Sequence, residues 1–122
     1  MCKVVQVKIG NKTVNVADLK EKNIYNIAEA AKQCKYIERI VLFGSSISER
    51  CEEDSDIDIA VFGNVSKSKC LTSKSFKEFA KKLYIFDDYK QDYDILYFSF
   101  GQSGDVGILG EIGRGEVIYA RE

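Results

Sequence analysis

The sequence predicts an α/β domain of the α+β type: a mixed β-sheet packed by helices, with an extra N-terminal β-hairpin. Three observations lead there. Alternating apolar and polar residues open the chain, a continuous apolar run marks an interior strand, and two segments carry apolar residues at helical spacing between strands. At 122 residues, 45% of them apolar, the chain can bury one core. A single domain over 1–122 is therefore expected, with the hairpin at 1–17 and the core at 18–122.

The elements follow in order. Val5, Val7 and Ile9 alternate with polar residues, Gly10-Asn11-Lys12 supplies turn chemistry, and Val14 and Val16 resume the alternation, so residues 3–16 read as a hairpin. Asp18-x-x-Glu21 resembles a capping box before a helix whose Ile24, Ile27, Ala28 and Ala31 share a face, ending near Cys34 or Lys35. Ile40-Val41-Leu42-Phe43, stopped by Gly44-Ser45, is the pattern of a strand covered on both faces. A polar, turn-like stretch leads to a second strand from Asp56 to Phe62, bounded by Gly63-Asn64. Ser75-x-x-Glu78 can cap a helix with Phe76, Phe79, Ala80 and Leu83 as its buried stripe, and Tyr93 to Phe98 is the third strand. A last helix from Asp105 to about Ile112 breaks at Gly113-Arg114-Gly115, before a strand-like Val117-Ile118-Tyr119.

Composition narrows the chemistry. Eighteen Lys and Arg against nineteen Asp and Glu give a net charge of −1, so no whole-molecule attraction to nucleic acid or to a membrane surface is expected. Cys2, Cys34, Cys51 and Cys70 have no C-x-x-C spacing and read as buried small apolar residues. With no signal-peptide pattern and no long apolar run, a cytoplasmic location is expected. Histidine is absent, which removes the usual general base and the commonest transition-metal ligand. Any metal should be a hard cation on oxygen ligands.

The informative segment is Gly44-Ser45, ten intervening residues, then Asp56-Ile57-Asp58. Residues two apart on a strand share a face, so Asp56 and Asp58 point one way while Ile57, Ile59 and Val61 point into the core. Two carboxylates roughly 7 Å apart repel by on the order of 2 kcal/mol at an effective dielectric of about 20. A divalent cation between them reverses the sign. Gly44 lets the backbone approach a bulky anion, and the amides that follow, with the Ser45 hydroxyl and Ser46, can meet phosphates if a helix starts there. Antiparallel pairing of the two strands would bring the Gly-Ser end beside the Asp-x-Asp start. An acidic surface turn is the plainer alternative, but it does not account for the alternation with a strong apolar face. An EF-hand counted from Asp54 fails, with Ile59 where Gly belongs and Val65 where Glu belongs. Glycines 101, 104, 107, 110, 113 and 115 form neither G-x-G-x-x-G nor a P-loop.

Leu42-Phe43-Gly44-Ser45 and Asp54-Ser55-Asp56-Ile57-Asp58-Ile59-Ala60-Val61 resemble the signature of the minimal nucleotidyltransferases of the DNA polymerase β superfamily. Tyr93-Asp94-Ile95-Leu96 is similar to that family's third element, a single Asp between apolar residues on a later strand. Asp94 is preferred over Asp92, which has the same parity, because apolar residues flank it on both sides. The resemblance covers roughly residues 24–119 and implies a polymerase β-like core. It also implies a two-metal Mg²⁺ site on Asp56, Asp58 and Asp94, with Gly44, Ser45 and Ser46 binding the triphosphate of ATP or another NTP. In-line attack on the α-phosphorus would release pyrophosphate, Asp94 accepting the proton.

The chain departs from the family pattern after Gly-Ser. Many members carry a pair of arginines and a glycine there, whereas this chain has Ser46, Ser48 and Glu49, with Arg50, Lys67, Lys69 or Arg114 as substitutes for the lost cations. Lys67, Lys69, Lys74, Lys77, Lys81 and Lys82 otherwise read as a solvated face. By analogy the acceptor is a tyrosine of a HEPN-domain toxin, with this chain as the antitoxin that adenylylates it. A fold kept only for partner binding is a second expectation. A small-molecule nucleotidyltransferase of the aminoglycoside-modifying type is a third, weakened by the extra helical sequence such enzymes carry. The hairpin edge offers a surface for a homo-oligomer or a partner.

Overall fold

The computed structural model describes residues 2–99, 110 and 112–121. The hairpin forms as expected: β1 (Val4–Ile9) pairs antiparallel with β2 (Lys12–Ala17), from Val4 opposite Ala17 to Ile9 opposite Lys12. Gly10 takes a φ of +61°, which the tight turn requires and a side chain would resist. Val7, Val14 and Val16 face inward and join the main core, while Gln6, Lys8, Thr13 and Asn15 face water. Two strands alone are marginal in water, so this shared core is what holds the hairpin.

Two expected helix caps are corrected. Asp18 opens a one-turn 3₁₀ segment (Asp18–Lys20), and its carboxylate accepts from the Lys3 backbone N–H at 3.1 Å, tying the hairpin to the core. It therefore does not cap α1 (Glu21–Ala31), whose N-cap position is Lys20 with no side-chain cap. The helix stops at Ala31, ahead of Cys34, because Lys32, Gln33 and Cys34 donate to carbonyls three residues back and tighten the chain into a turn. The second correction concerns α3 (Lys74–Ile85): Ser73, not Ser75, is the cap, its hydroxyl accepting from the Phe76 N–H at 3.2 Å. A short helix not anticipated from the sequence, α2 (Lys67–Leu71), is capped by Ser66 and brings the chain to Ser73 already turning.

The main sheet contains β3 (Ile37–Phe43), β4 (Ile57–Gly63), β5 (Tyr93–Ser99) and β6 (Glu116–Ala120) in the order β5-β4-β3-β6. The β3–β4 and β3–β6 pairs are antiparallel and β4–β5 is parallel, a mixed sheet. One face, carrying Ile40, Leu42, Ile57, Ile59 and Val61, packs in a single cluster with Ile24, Ile27 and Ala31 of α1 and with Phe76, Phe79 and Leu83 of α3. The opposite face carries a smaller cluster of Val41, Phe43, Ala60 and Ile112, so the middle strands are covered on both sides as the apolar run predicts. All four cysteines are buried thiols. Of the helix expected from Asp105 to about Ile112, only Gly110 and Ile112 are described, and both are helical; glycines 101, 104 and 107 lie outside the described residues. Among the described residues no helix is long and apolar enough to cross a membrane.

Candidate active site

β3 delivers the chain to one end of the sheet, where Phe43 sits opposite Asp58. Gly44 then turns with φ +73°, and a Cβ there would overlap the Asp58 carboxylate. Both the backbone conformation and the close approach demand glycine. The Gly-Ser turn and the Asp-x-Asp start therefore meet at one edge, as antiparallel pairing requires.

The parallel pairing of β4 with β5 sets Asp58 opposite Asp94 and Ile57 opposite Tyr93. Opposed residues share a face, and neighbouring strands lie about 4.8 Å apart, so the two aspartates stand side by side on the face away from Ile57 and Tyr93. Asp56 is exposed one residue ahead of β4, not within it as the alternation suggested. Among the described residues no three acids or thiols are gathered closely enough to hold a metal ion as they stand. Asp92, the other candidate on β5, precedes the strand; its carbonyl accepts from the Ile57 N–H at 3.0 Å and so starts the β4–β5 ladder. The register thus places Asp94, and not Asp92, next to Asp58.

After Gly44 the chain makes a four-residue 3₁₀ turn (Gly44–Ile47), shorter than the helix start considered from the sequence. Ser45 is half-buried and its carbonyl accepts from Ser48 N–H at 3.0 Å. Ser46 is 0% exposed, and its hydroxyl has no hydrogen-bond partner among the described residues. A buried hydroxyl left unpaired costs about 1–3 kcal/mol, which makes it a feature calling for an explanation.

The structure sorts the cations. Lys67 and Lys69 follow the far end of β4, which lies about 17 Å along the strand from Asp58, and the Lys69 ammonium lies 6.0 Å from the centre of the Tyr36 ring. They do not replace the arginines. Arg114 does lie at the right end: Glu116 pairs with Leu42, and Gly115 is packed so closely on the Leu42 carbonyl that no side chain would fit. Arg50 is exposed in the loop between the turn and β4, its N–H bonded to the Ser48 hydroxyl at 3.0 Å.

Two residues of this end were not legible as such from the sequence. Lys20 is buried and donates to the Glu53 carbonyl at 2.9 Å and to Gln91 Oε1 at 2.6 Å. Gln91 donates in turn to the carbonyls of Ser55 at 2.9 Å and Asp92 at 2.7 Å. Beside them, burial pushes the Cys51 thiol up, the Lys20 charge opposing it. Burial also pushes Tyr93 up to about 12, so its phenol stays a neutral donor to the Leu83 carbonyl and fastens the start of β5 to α3.

A mixed four-stranded sheet packed by helices, with a Gly-Ser turn set against an aspartate at one end, has the plan of a polymerase β-like nucleotidyl-transfer domain. The chain belongs to the polymerase beta nucleotidyltransferase family, whose model matches residues 25–122. The match begins inside α1, so the hairpin lies outside it. No curated protein matches the sequence. Membership supports nucleotidyl transfer as the general function.

Proposed function

We propose that the chain transfers a nucleoside monophosphate, AMP from ATP, to a hydroxyl of a partner, with Mg²⁺ held at the Asp58–Asp94 edge. The observation that carries this reading is the register that puts Phe43 opposite Asp58 and Asp58 opposite Asp94, with Gly44 turned onto the Asp58 carboxylate. The donor set fits the ion, since it is all oxygen and the chain has no histidine. Asp58 and Asp94 would hold the metal, with exposed Asp56 adjoining them. When bound, Mg²⁺ neutralises the charge that develops on the triphosphate oxygens.

The remaining roles belong to the chain. Gly44 admits the triphosphate against the backbone, and the half-buried Ser45 hydroxyl after it is the donor for a phosphate oxygen, the Ser46 hydroxyl being turned into the interior. Arg114 supplies the cation that Ser46 and Ser48 do not. The acceptor oxygen bonds to the α-phosphorus, the bond to the bridging oxygen breaks, and pyrophosphate leaves with that electron pair. The acceptor's proton passes to the Asp94 carboxylate. By family analogy the acceptor is a tyrosine of a HEPN-domain toxin in the cytoplasm, and the buried thiols fit that reducing compartment.

A second reading, a binding module that keeps the fold without turnover, is favoured by one observation: Ser46 is buried where the family places a phosphate-binding arginine. Incubation with Mg²⁺ and ATP labelled at the α-phosphate, with and without the product of the adjacent reading frame, separates the two. Transfer of label to the partner that Asp58→Asn abolishes is the expected result. Tight binding with no transfer from any NTP would replace the enzyme with the module.

A further inference from the structure

A lysine at the end of a short turn normally extends into water, because desolvating an ammonium is costly. Lys20 closes the 3₁₀ turn after the hairpin and is nevertheless 2% exposed. Its two acceptors, the Glu53 carbonyl and Gln91 Oε1, are both uncharged. A neutral apolar side chain would fill such a site at lower cost, so packing alone does not explain a lysine there.

What the two acceptors have in common explains it better. Glu53 lies on the segment that leads into Asp56, and Gln91 lies on the segment that leads into Asp94. Gln91, 6% exposed, extends the link by donating to the Ser55 and Asp92 carbonyls. The Asp92 carbonyl is the one that receives the Ile57 N–H, the first rung of the ladder that sets Asp58 beside Asp94. Lys20 and Gln91 thus clamp the two strand starts at the rung from which the acid register is counted. The segments they join carry Asp54, Asp56, Asp92 and Asp94, and the buried ammonium is a positive charge at their root.

We propose that Lys20 and Gln91 are positioning residues for nucleotidyl transfer, holding the β4 and β5 starts so that the aspartates present one metal-binding edge. This rests on the reading of Asp58 and Asp94 given above. Neither residue touches substrate; both act through the backbone.

The test uses Lys20→Met, which removes the charge at similar length, and Gln91→Glu, which keeps an acceptor for Lys20 but loses both donations to backbone. Circular dichroism and thermal melting report the fold, electron paramagnetic resonance counts free Mn²⁺ to give metal affinity without nucleotide, and α-labelled ATP gives kcat and KM. Folded variants are expected to lose about 10–100-fold in kcat and in Mn²⁺ affinity, with the KM for ATP within about threefold of the parent. A folded variant of either kind with parental kcat and Mn²⁺ affinity overturns the proposal. Should Lys20→Met fail to fold, Gln91→Glu decides; collapse of both would mark the pair as structural and overturn it equally. A parent chain with neither transfer nor Mn²⁺ binding instead refutes the functional reading itself, a result distinguishable from an active parent with unaffected variants.

Discussion

The two ends of the main sheet are built from the same four strands and treat their polar groups differently. At the far end, where β3 begins and β4 stops, polar groups are tied to one another. Asn64 donates to the Lys35 carbonyl and to Glu38, and Arg121 bonds the Cys34 and Ile37 carbonyls and pairs with Glu38 at 3.3 Å. At the near end two aspartates stand in register, a glycine is pressed onto one of them, and the Ser46 hydroxyl is buried with no partner among the described residues. A buried hydroxyl without a partner costs stability. The far end is closed by side-chain bonds across the strands, whereas at the near end the Lys20–Gln91 bonds tie the strand starts and the glycine turn meets the acids of β4 and β5.

The comparison breaks first at Asp58. Asp58→Asn should lower kcat by on the order of 10²–10³ in the α-label assay with the fold retained in urea melts. A large loss of stability instead would make the aspartate part of the scaffold. Gly44→Ala should cost about 1–2 kcal/mol from the left-handed backbone alone, with further loss of activity as the new methyl displaces the Asp58 carboxylate. Denaturant melts beside turnover measure both parts.

The cations sharpen the contrast between ends. Arg114→Ala should raise the KM for ATP by about tenfold, the worth of one charge-assisted hydrogen bond, whereas Lys69→Ala at the far end should leave it unchanged. Arg121→Ala should do the reverse, lowering stability by about 1–2 kcal/mol with kcat intact.

A further effect is one of pH. Tyr93 is held near 12 in the folded chain and titrates near 10 when unfolded, so the neutral phenol favours the fold. Its contribution is complete below pH 10 and declines as pH rises toward 12. Urea melts across that window should show the decline, and Tyr93→Phe should reduce it.

Much of this was legible in the sequence because it is local. Alternation alone identifies β1, β2 and β4, and the apolar run identifies β3, since side-chain direction repeats every two residues whatever the surroundings. The pairing of Gly-Ser with Asp-x-Asp follows from one short connection. What was misread depends on distant partners. Asp18 matched a cap motif but is taken by Lys3 of the hairpin, and Ser75 matched a capping box while α2 had already turned the chain at Ser73. Lys20 and Gln91 are beyond any pattern, because their burial arises from contacts 33 and 71 residues apart.

The register of β5 on β4 is the central claim, and a comparison of Asp94→Asn with Asp92→Asn tests it most directly. Both positions have the same parity and the same chemistry, and only Asp94 lies opposite Asp58. With α-labelled ATP, Mg²⁺ and an acceptor, Asp94→Asn is expected to abolish transfer and Asp92→Asn to keep it close to the parental rate. Loss of transfer in Asp92→Asn with a working Asp94→Asn would contradict the account.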